Sequence, residues 1–454
     1  MRRIGSVLGS GVLAGALALG LTSTTAPAGA EEPTPSESAS AATTPDPESA
    51  ATTPDTTPED TTPDGSTSES EVLAASGSPY GSAFPVTLET NFARPYKAIS
   101  SSANSDFSQL DDLERLIRGS YRKPDGSLRY DRTSNTVKLS ISRMENSHRV
   151  GRELIRAAQN GVEVYVIHGV KSQSSESRAL QRKLNSLKHG HFKICDKGKS
   201  NACLSSLKGA IMHTKILIIN RTYTRNNKSA QGVIWSGSAN LGGPSGERTY
   251  NNGLTVYNDR KLYTQATKMW SDMSAEKSVG NDYFGYIRGH KSSYGGYFGD
   301  VGYTNNFATS GMFYSNLANV TIYPTPIAAT PTNGKDPVLK MLSRIVPDDQ
   351  CRIRLQQNRF KYRRIAVAQK LVQLADQGCK VSAVSFQDDL QVNRTMHCQQ
   401  YIRICKPILD TFKTANSRID VGWAKPHDKT ILVDAVLTKN MLNPEELPPN
   451  GGVW

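Results

Sequence analysis

Two histidines, each two residues ahead of a lysine at the head of an apolar run, have types and spacing that could do chemistry. They stand in His213-Thr-Lys215 before Ile216-Leu-Ile-Ile219 and in His427-Asp-Lys429 before Thr430-Ile-Leu-Val433. The β-branched runs read as buried strands, and because alternate strand residues share a face, each histidine would point with its lysine. One copy alone would read as surface residues at a strand entrance; two copies 214 residues apart make a duplicated site. A phosphodiester is anionic and expels a poor alkoxide, so its cleavage needs cations on the phosphate, a nucleophile and a proton donor. Lys215 and Lys429 can supply the charge. One neutral imidazole can attack phosphorus while the other, protonated, donates to the leaving oxygen. Imidazole suits both tasks because its ordinary pKa, roughly 6.5, lies near neutrality. This chemistry calls for no metal or cofactor, and the six cysteines and the remaining histidines lack zinc-like spacing.

The elements that must carry these residues repeat as well. The apolar spacing of Leu110 to Ile117 predicts an amphipathic helix, Val137 to Ile141 alternates as a strand, and Val150 to Gln159 reads as a helix closed by Asn160-Gly161. A strand follows from Val162 to Ile167 and a helix from Ser177 to Leu187. In the second half Val338–Ile345, Cys351–Leu355, Ile365–Ala375 with Gln377-Gly378, and Lys380–Phe386 repeat helix, strand, helix and strand. Gly161 lies 52 residues before His213, and Gly378 lies 49 before His427. Strands alternating with helices imply largely parallel sheet covered by helices, hence an α/β chain of two repeated sandwich halves, 79–320 and 321–454.

The paired His-x-Lys-x4-Asp pattern, with Gly237-Ser238-Ala239-Asn240 after the first copy, resembles the phospholipase D superfamily, and the likeness extends over most of residues 137–454 through the repeat. The resemblance implies two halves related by a pseudo-twofold axis with one active site between them, and a phosphohistidine intermediate resolved by water or an alcohol. It implies His213 as nucleophile and His427 as general acid, with Lys215, Lys429, Ser238 and Asn240 holding the phosphate and Asp434 completing the second motif. Three departures stand out. Asn220 occupies the place of the first motif's aspartate, keeping hydrogen bonds but not charge. Asn251-Asn252-Gly253-Leu254 stands where several relatives have a glutamate that orients the first histidine. After Asp434 the chain reaches Trp454 without a second Gly-Ser-x-Asn segment, so the sequence reads as cut short.

Composition bounds the setting. Arg2 and Arg3, the apolar run Val7–Leu21 and Ala28-Gly-Ala30 predict a signal peptide over 1–30, and the Thr/Pro/Ser/acidic stretch 31–78 predicts a disordered linker, so the protein is expected to be secreted. Residues 79–454 hold 52 basic against 30 acidic residues, a net +22, which favours anionic partners. Cysteines in an exported chain fit disulfides, and we expect the pairs Cys195–Cys203, Cys351–Cys379 and Cys398–Cys405. The Tyr- and Phe-rich stretch 282–323 reads as packing between the halves or as a lid. His189 and His191 read as solvated loop residues without a nearby carboxylate, and His148, His168, His290 and His397 as packing or surface. Lys361, Arg363 and Arg364 read as a solvated helix start. The leading reading is a monomeric secreted phospholipase D that touches membrane surfaces transiently. A metal-independent endonuclease acting on nucleic acid, and an inactive protein that binds phosphate-rich polymers, are the alternatives.

Overall fold

The computed structural model describes residues 86–95, 105–145, 148–169, 173–196, 202–290, 303–308, 317–328, 335–386, 406–424 and 426–438, with 293, 330 and 333. All belong to one compact unit, Thr67–Trp454, and the other unit, Met1–Ser66, lies outside them. The expected signal peptide and linker, the Cys398–Cys405 pair, His397 and the stretch after residue 438 also lie outside the described residues.

The first repeat runs β1 (Thr87–Ala93), α1 (Ser108–Arg118), β2 (Thr136–Ile141), β3 (Met144–Glu145), α2 (Arg149–Gln159), β4 (Glu163–His168), α3 (Ser175–Asn185), β5 (Gly190–Ile194), β6 (Ile216–Tyr223), β7 (Ser229–Gly237), β8 (Leu241–Gly242), α4 (Gly243–Glu247), β9 (Asn251–Tyr257), α5 (Arg260–Ser274) and α6 (Tyr283–Gly289). Its seven-stranded sheet has the order β1-β9-β7-β6-β2-β4-β5. The unbroken apolar run of β6 is explained by burial on both faces. Leu217 and Ile219 join Val137, Leu139, Leu113 and Leu154 on one side, while Ile216 and Ile218 join Ile234, Val256, Leu262 and Met269 on the other. Each such side chain contributes about 2 kcal/mol by leaving water.

After the hairpin β10 (Tyr303–Ala308) and β11 (Leu317–Ile322), the second repeat runs α7 (Pro337–Ser343), β12 (Ile345–Val346), β13 (Arg352–Gln357), α8 (Ile365–Asp376), β14 (Lys380–Phe386), α9 (Lys406–Phe412), β15 (Asp420–Ala424), β16 (Lys429–Asp434) and β17 (Val436–Leu437). Its sheet order, β15-β14-β13-β16, reproduces β5-β4-β2-β6 strand for strand, with the last strand antiparallel in both. The expectation of largely parallel sheet therefore needs correction. Within the two main sheets β2, β4 and β5, and their counterparts, are parallel, whereas β6, β7, β9 and β1 run antiparallel. The short turn between β6 and β7, with Asn227 at φ 61°, is too brief for a parallel crossover. The buried strand expected at Thr430–Val433 is also only half realised: Val433 is buried, but Leu432 is 47% exposed.

Two of the expected disulfides form. Cys195–Cys203 ties the chain just after β5 to the segment that leads to His213, and Cys351–Cys379 ties the starts of β13 and β14, with Cα atoms 4.6 Å apart. In the aromatic stretch, Tyr283 and Phe284 of α6 are buried in the first repeat's second core, so this part packs rather than covers a site. Its residues 291–292, 294–302 and 309–316 lie outside the described residues.

Candidate active site

Both motifs sit at the carboxyl edge of the parallel strands, where open α/β sheets leave room for ligands. Ile216, next to Lys215, pairs with Ser140 near the end of β2, and Lys429 pairs with Gln357 at the end of β13. Gly169, just after β4, lets the chain before His213 cross that edge, since an added Cβ would meet the Met212 carbonyl oxygen at 2.3 Å. The His213 and His427 rings lie 6.5 Å apart between centroids, tilted by 48°.

The start of β9 holds the second motif against the first repeat. Tyr250 bridges Pro426, and the His427 amide donates to the Tyr250 carbonyl at 2.9 Å. Asn252 Nδ2 donates to Thr430 Oγ1 at 2.9 Å, and Asn358 Nδ2 donates to the Pro426 carbonyl at 2.8 Å. Lys215 is buried; its Nζ lies 3.3 and 3.4 Å from the two ring nitrogens of His213 and donates to the His213 carbonyl at 2.9 Å. Lys429 is exposed, and its Nζ donates to the His427 carbonyl.

A chain of hydrogen bonds fixes the protonation of one ring. Buried Asn251 uses Nδ2 to donate to the Ser245 and Thr249 carbonyls at 2.9 and 3.1 Å, which turns its Oδ1 toward Ser238 and His427. The Asn252 amide donates to Ser238 Oγ at 3.0 Å, so the Ser238 hydroxyl donates onward to Asn251 Oδ1, also at 3.0 Å. Since Oδ1 only accepts, His427 Nδ1, 3.1 Å away, carries the proton, and its Nε2 keeps a lone pair. The residue standing in the glutamate's region thus meets His427, not His213 as expected. Sequence reasoning noticed Asn251 only as a missing charge; its role depends on a contact between residues 176 positions apart.

The electrostatics favour neutral rings. Burial, then Lys429, Lys215 and His213, push the His427 pKa from 6.5 to about 3, against a backbone hydrogen bond with Ser238. His213 is likewise lowered to about 3, by burial first and then by Lys215, Lys429, Arg143 and Arg359. Its side chain still meets solvent. Burial, then Lys429 and Arg143, draw the Lys215 ammonium from 10.5 to about 7. Burial raises Asp428, between His427 and Lys429, to about 6. Arg143, Arg359 and Asp428 carry no motif and were not singled out from the sequence.

The remaining expected residues divide. Ser238 belongs to the Asn251 chain, and Gly237 ahead of it is required because an added Cβ would lie 2.7 Å from the Asn252 carbonyl oxygen. The Asn240 amide donates to Ser245 Oγ at 3.1 Å, while its buried Oδ1 has no hydrogen-bond partner among the described residues. Asp434 is not brought to the rings. It ends β16, about 17 Å along the strand from Lys429, and lies opposite Arg352 at the sheet's far end. Asn220 occupies the equivalent end of the first repeat, accepting from the Thr136 amide at 2.8 Å and donating to the Ser134 carbonyl at 3.0 Å. His189 and His191 do have a carboxylate, contrary to expectation: Glu163 lies 2.5 and 3.3 Å from their ring nitrogens. Among the described residues no group of three or more His, Cys, Asp or Glu is arranged to hold a metal ion, and no helix is long and apolar enough to cross a membrane.

The family model described as "Cardiolipin synthase, PLD-like domain" matches residues 130–273, the span that contains β2 to β9 and the first motif. Residues 130–273 are thus similar to a phospholipase D-like domain. No curated protein sequence matches the chain. Among solved structures, the phospholipase D family member Nuc from Salmonella typhimurium is 14% identical with a TM-score of 0.28, over 42% of this chain and 95% of that one. Phosphatidylserine synthase from Haemophilus influenzae is 10% identical with a TM-score of 0.41, over 77% and 78%. Polyphosphate kinase from Porphyromonas gingivalis is 10% identical with a TM-score of 0.39, over 76% of this chain, which spans only 43% of its length. The match falls within the first repeat, and the second repeat shares the strand order of β5-β4-β2-β6.

Proposed function

We propose that the chain is a secreted phosphodiesterase of the phospholipase D type, which cleaves phospholipid headgroups through a phosphohistidine. The observation that carries this reading is the 6.5 Å separation of the His213 and His427 rings, each with its own lysine. An attacking nitrogen about 3 Å from phosphorus and a hydrogen bond of about 2.8 Å to the leaving oxygen fit between two rings so spaced. The fixed Nδ1–H of His427 favours it as nucleophile, reversing the roles implied by resemblance. Its Nε2 forms the N–P bond as the P–O bond to the headgroup breaks, and the leaving oxygen takes a proton from His213. Both rings are neutral without substrate, and the phosphate anion offsets the surrounding cations so that His213 can be protonated. Water then attacks phosphorus with His213 as base, and the N–P bond breaks. Lys215 and Lys429 hold the phosphate oxygens, with Ser238 and Asn240 as further candidates. Two disulfides agree with an exported protein.

The test is release of choline or ethanolamine from phospholipid vesicles, run beside nicking of plasmid DNA in chelator. Headgroup release that His427→Ala abolishes is expected. Nicking without headgroup release would favour the nuclease reading, to which the net +22 of residues 79–454 lends weight. Hydrolysis of neither substrate, with retained binding of phosphate-rich polymer, would leave a binding protein.

A further inference from the structure

Between the first disulfide and His213 the chain makes a turn that runs against the usual sorting of apolar side chains. Leu204 and Met212 are 4% and 3% exposed and belong to the core beneath β6, but Leu207 and Ile211 between them are 53% and 60% exposed. The turn is built rather than frayed. The Ala210 amide donates to the Leu207 carbonyl at 3.1 Å, and Gly209 takes φ 78°, the left-handed value that such a tight turn demands. Below it, Cys203 is bonded to Cys195, Ser205 Oγ donates to Asn281 Oδ1 at 2.6 Å, and the Leu207 amide donates to Ser205 Oγ at 3.2 Å. Two aliphatic side chains are thus held in water by a braced loop, with exposed Lys208 beside Leu207 and the second of them, Ile211, two residues from His213.

We propose that this turn, 204–211, is the element that docks the active site onto an anionic phospholipid surface. The inference rests on the phospholipase reading and names how that site meets its substrate. Leu207 and Ile211 would enter the acyl boundary while Lys208 stays at headgroup level, the division of labour that interfacial segments use. The cations around His213, Arg143, Arg359 and Lys429 among them, add attraction to the same surface. A nucleic acid would use those cations but would give the two aliphatic side chains nothing to bury against, because it presents phosphates and sugars at its surface.

The experiment compares the full chain with the double variant Leu207→Ser/Ile211→Ser in sedimentation with vesicles of phosphatidylglycerol and phosphatidylcholine. Vesicle partitioning is expected to weaken tenfold or more, with hydrolysis of soluble bis(p-nitrophenyl) phosphate unchanged. Leu207→Trp provides an independent readout, since its added fluorescence should be quenched by lipids brominated in the acyl chain. Equal partitioning of the double variant, or no quenching of the new tryptophan, overturns the proposal, as does a matching loss of DNA binding in the double variant. The outcomes also separate this inference from the functional reading. Insertion through the turn without lipid cleavage upholds docking and removes the phospholipase assignment. Equal lipid cleavage and binding by both proteins does the reverse.

Discussion

The two motifs share their residue types but not their surroundings, and the difference separates sequence symmetry from chemical symmetry. His427 is gripped through Nδ1 by a neutral amide from the opposite repeat, whereas His213 stands beside a buried lysine and meets solvent. Lys215 is buried and Lys429 exposed. The strand behind the first motif is covered on both faces, while the one behind the second leaves Leu432 outside. Duplication supplied two imidazoles and two ammoniums; the β9 segment that crosses to the second motif makes one imidazole unlike the other.

The largest effects should come from breaking that inequality at the rings. His427→Ala and His213→Ala should each lower headgroup release about 10³-fold. They should part company on a substrate whose leaving group needs no proton. With a p-nitrophenyl phosphodiester, His213→Ala should still release a burst of p-nitrophenol and accumulate phosphoenzyme, and His427→Ala should do neither. A burst in His427→Ala alone would return the nucleophile's role to His213.

A smaller effect follows from the amide that creates the difference. Asn251→Leu should cost about 10- to 100-fold in kcat/KM, because it frees the His427 tautomer and strands the buried Ser238 hydroxyl at about 1–3 kcal/mol. Asn251→Asp should instead raise the His427 pKa, since a carboxylate favours imidazolium, and move the acid limb of the pH–kcat/KM profile upward. An unmoved limb in that variant would mean that Asn251 does not govern the ring.

Stability against pH tests the same electrostatics. Both histidines have folded pKa values near 3 against an ordinary 6.5, so between those values the unfolded chain binds protons that the folded chain does not. The melting temperature should therefore fall as pH drops from about 6.5 toward about 3. Inorganic phosphate should reduce the slope by supplying counter-charge, and replacing both histidines with glutamine should flatten it further. A slope unaffected by either change would place the titrating groups elsewhere.

Much of this was legible in the sequence because it is written in local pattern. The apolar runs around Leu217 and Val381, and the glycines closing helices at Gly161 and Gly378, with φ of 87° and 114°, disclosed the repeat and its α/β character. Strand direction was less legible, since alternation reports burial but not whether a neighbour runs parallel. The cross-repeat contacts were not legible at all. That Asn251 meets His427, and that Glu163 lies between His189 and His191, depends on how strands lie beside one another, and no spacing along the chain encodes it.

The smallest expected effects concern the far ends of the two motif strands, where Asn220 and Asp434 look like a degraded and an intact copy of one motif position. Their geometry argues otherwise. Asn220 both accepts from the Thr136 amide and donates to the Ser134 carbonyl, and a carboxylate could do only the first. Asn220→Asp, which would restore the motif, should therefore lower stability by about 1 kcal/mol in a denaturant titration and leave kcat within about twofold. Asp434→Asn should change kcat as little, because about 17 Å of strand separates it from Lys429. A tenfold gain from Asn220→Asp, or a tenfold loss from Asp434→Asn, would show that charge at this end reaches the rings, and the asymmetry would then have to be sought there rather than at Asn251.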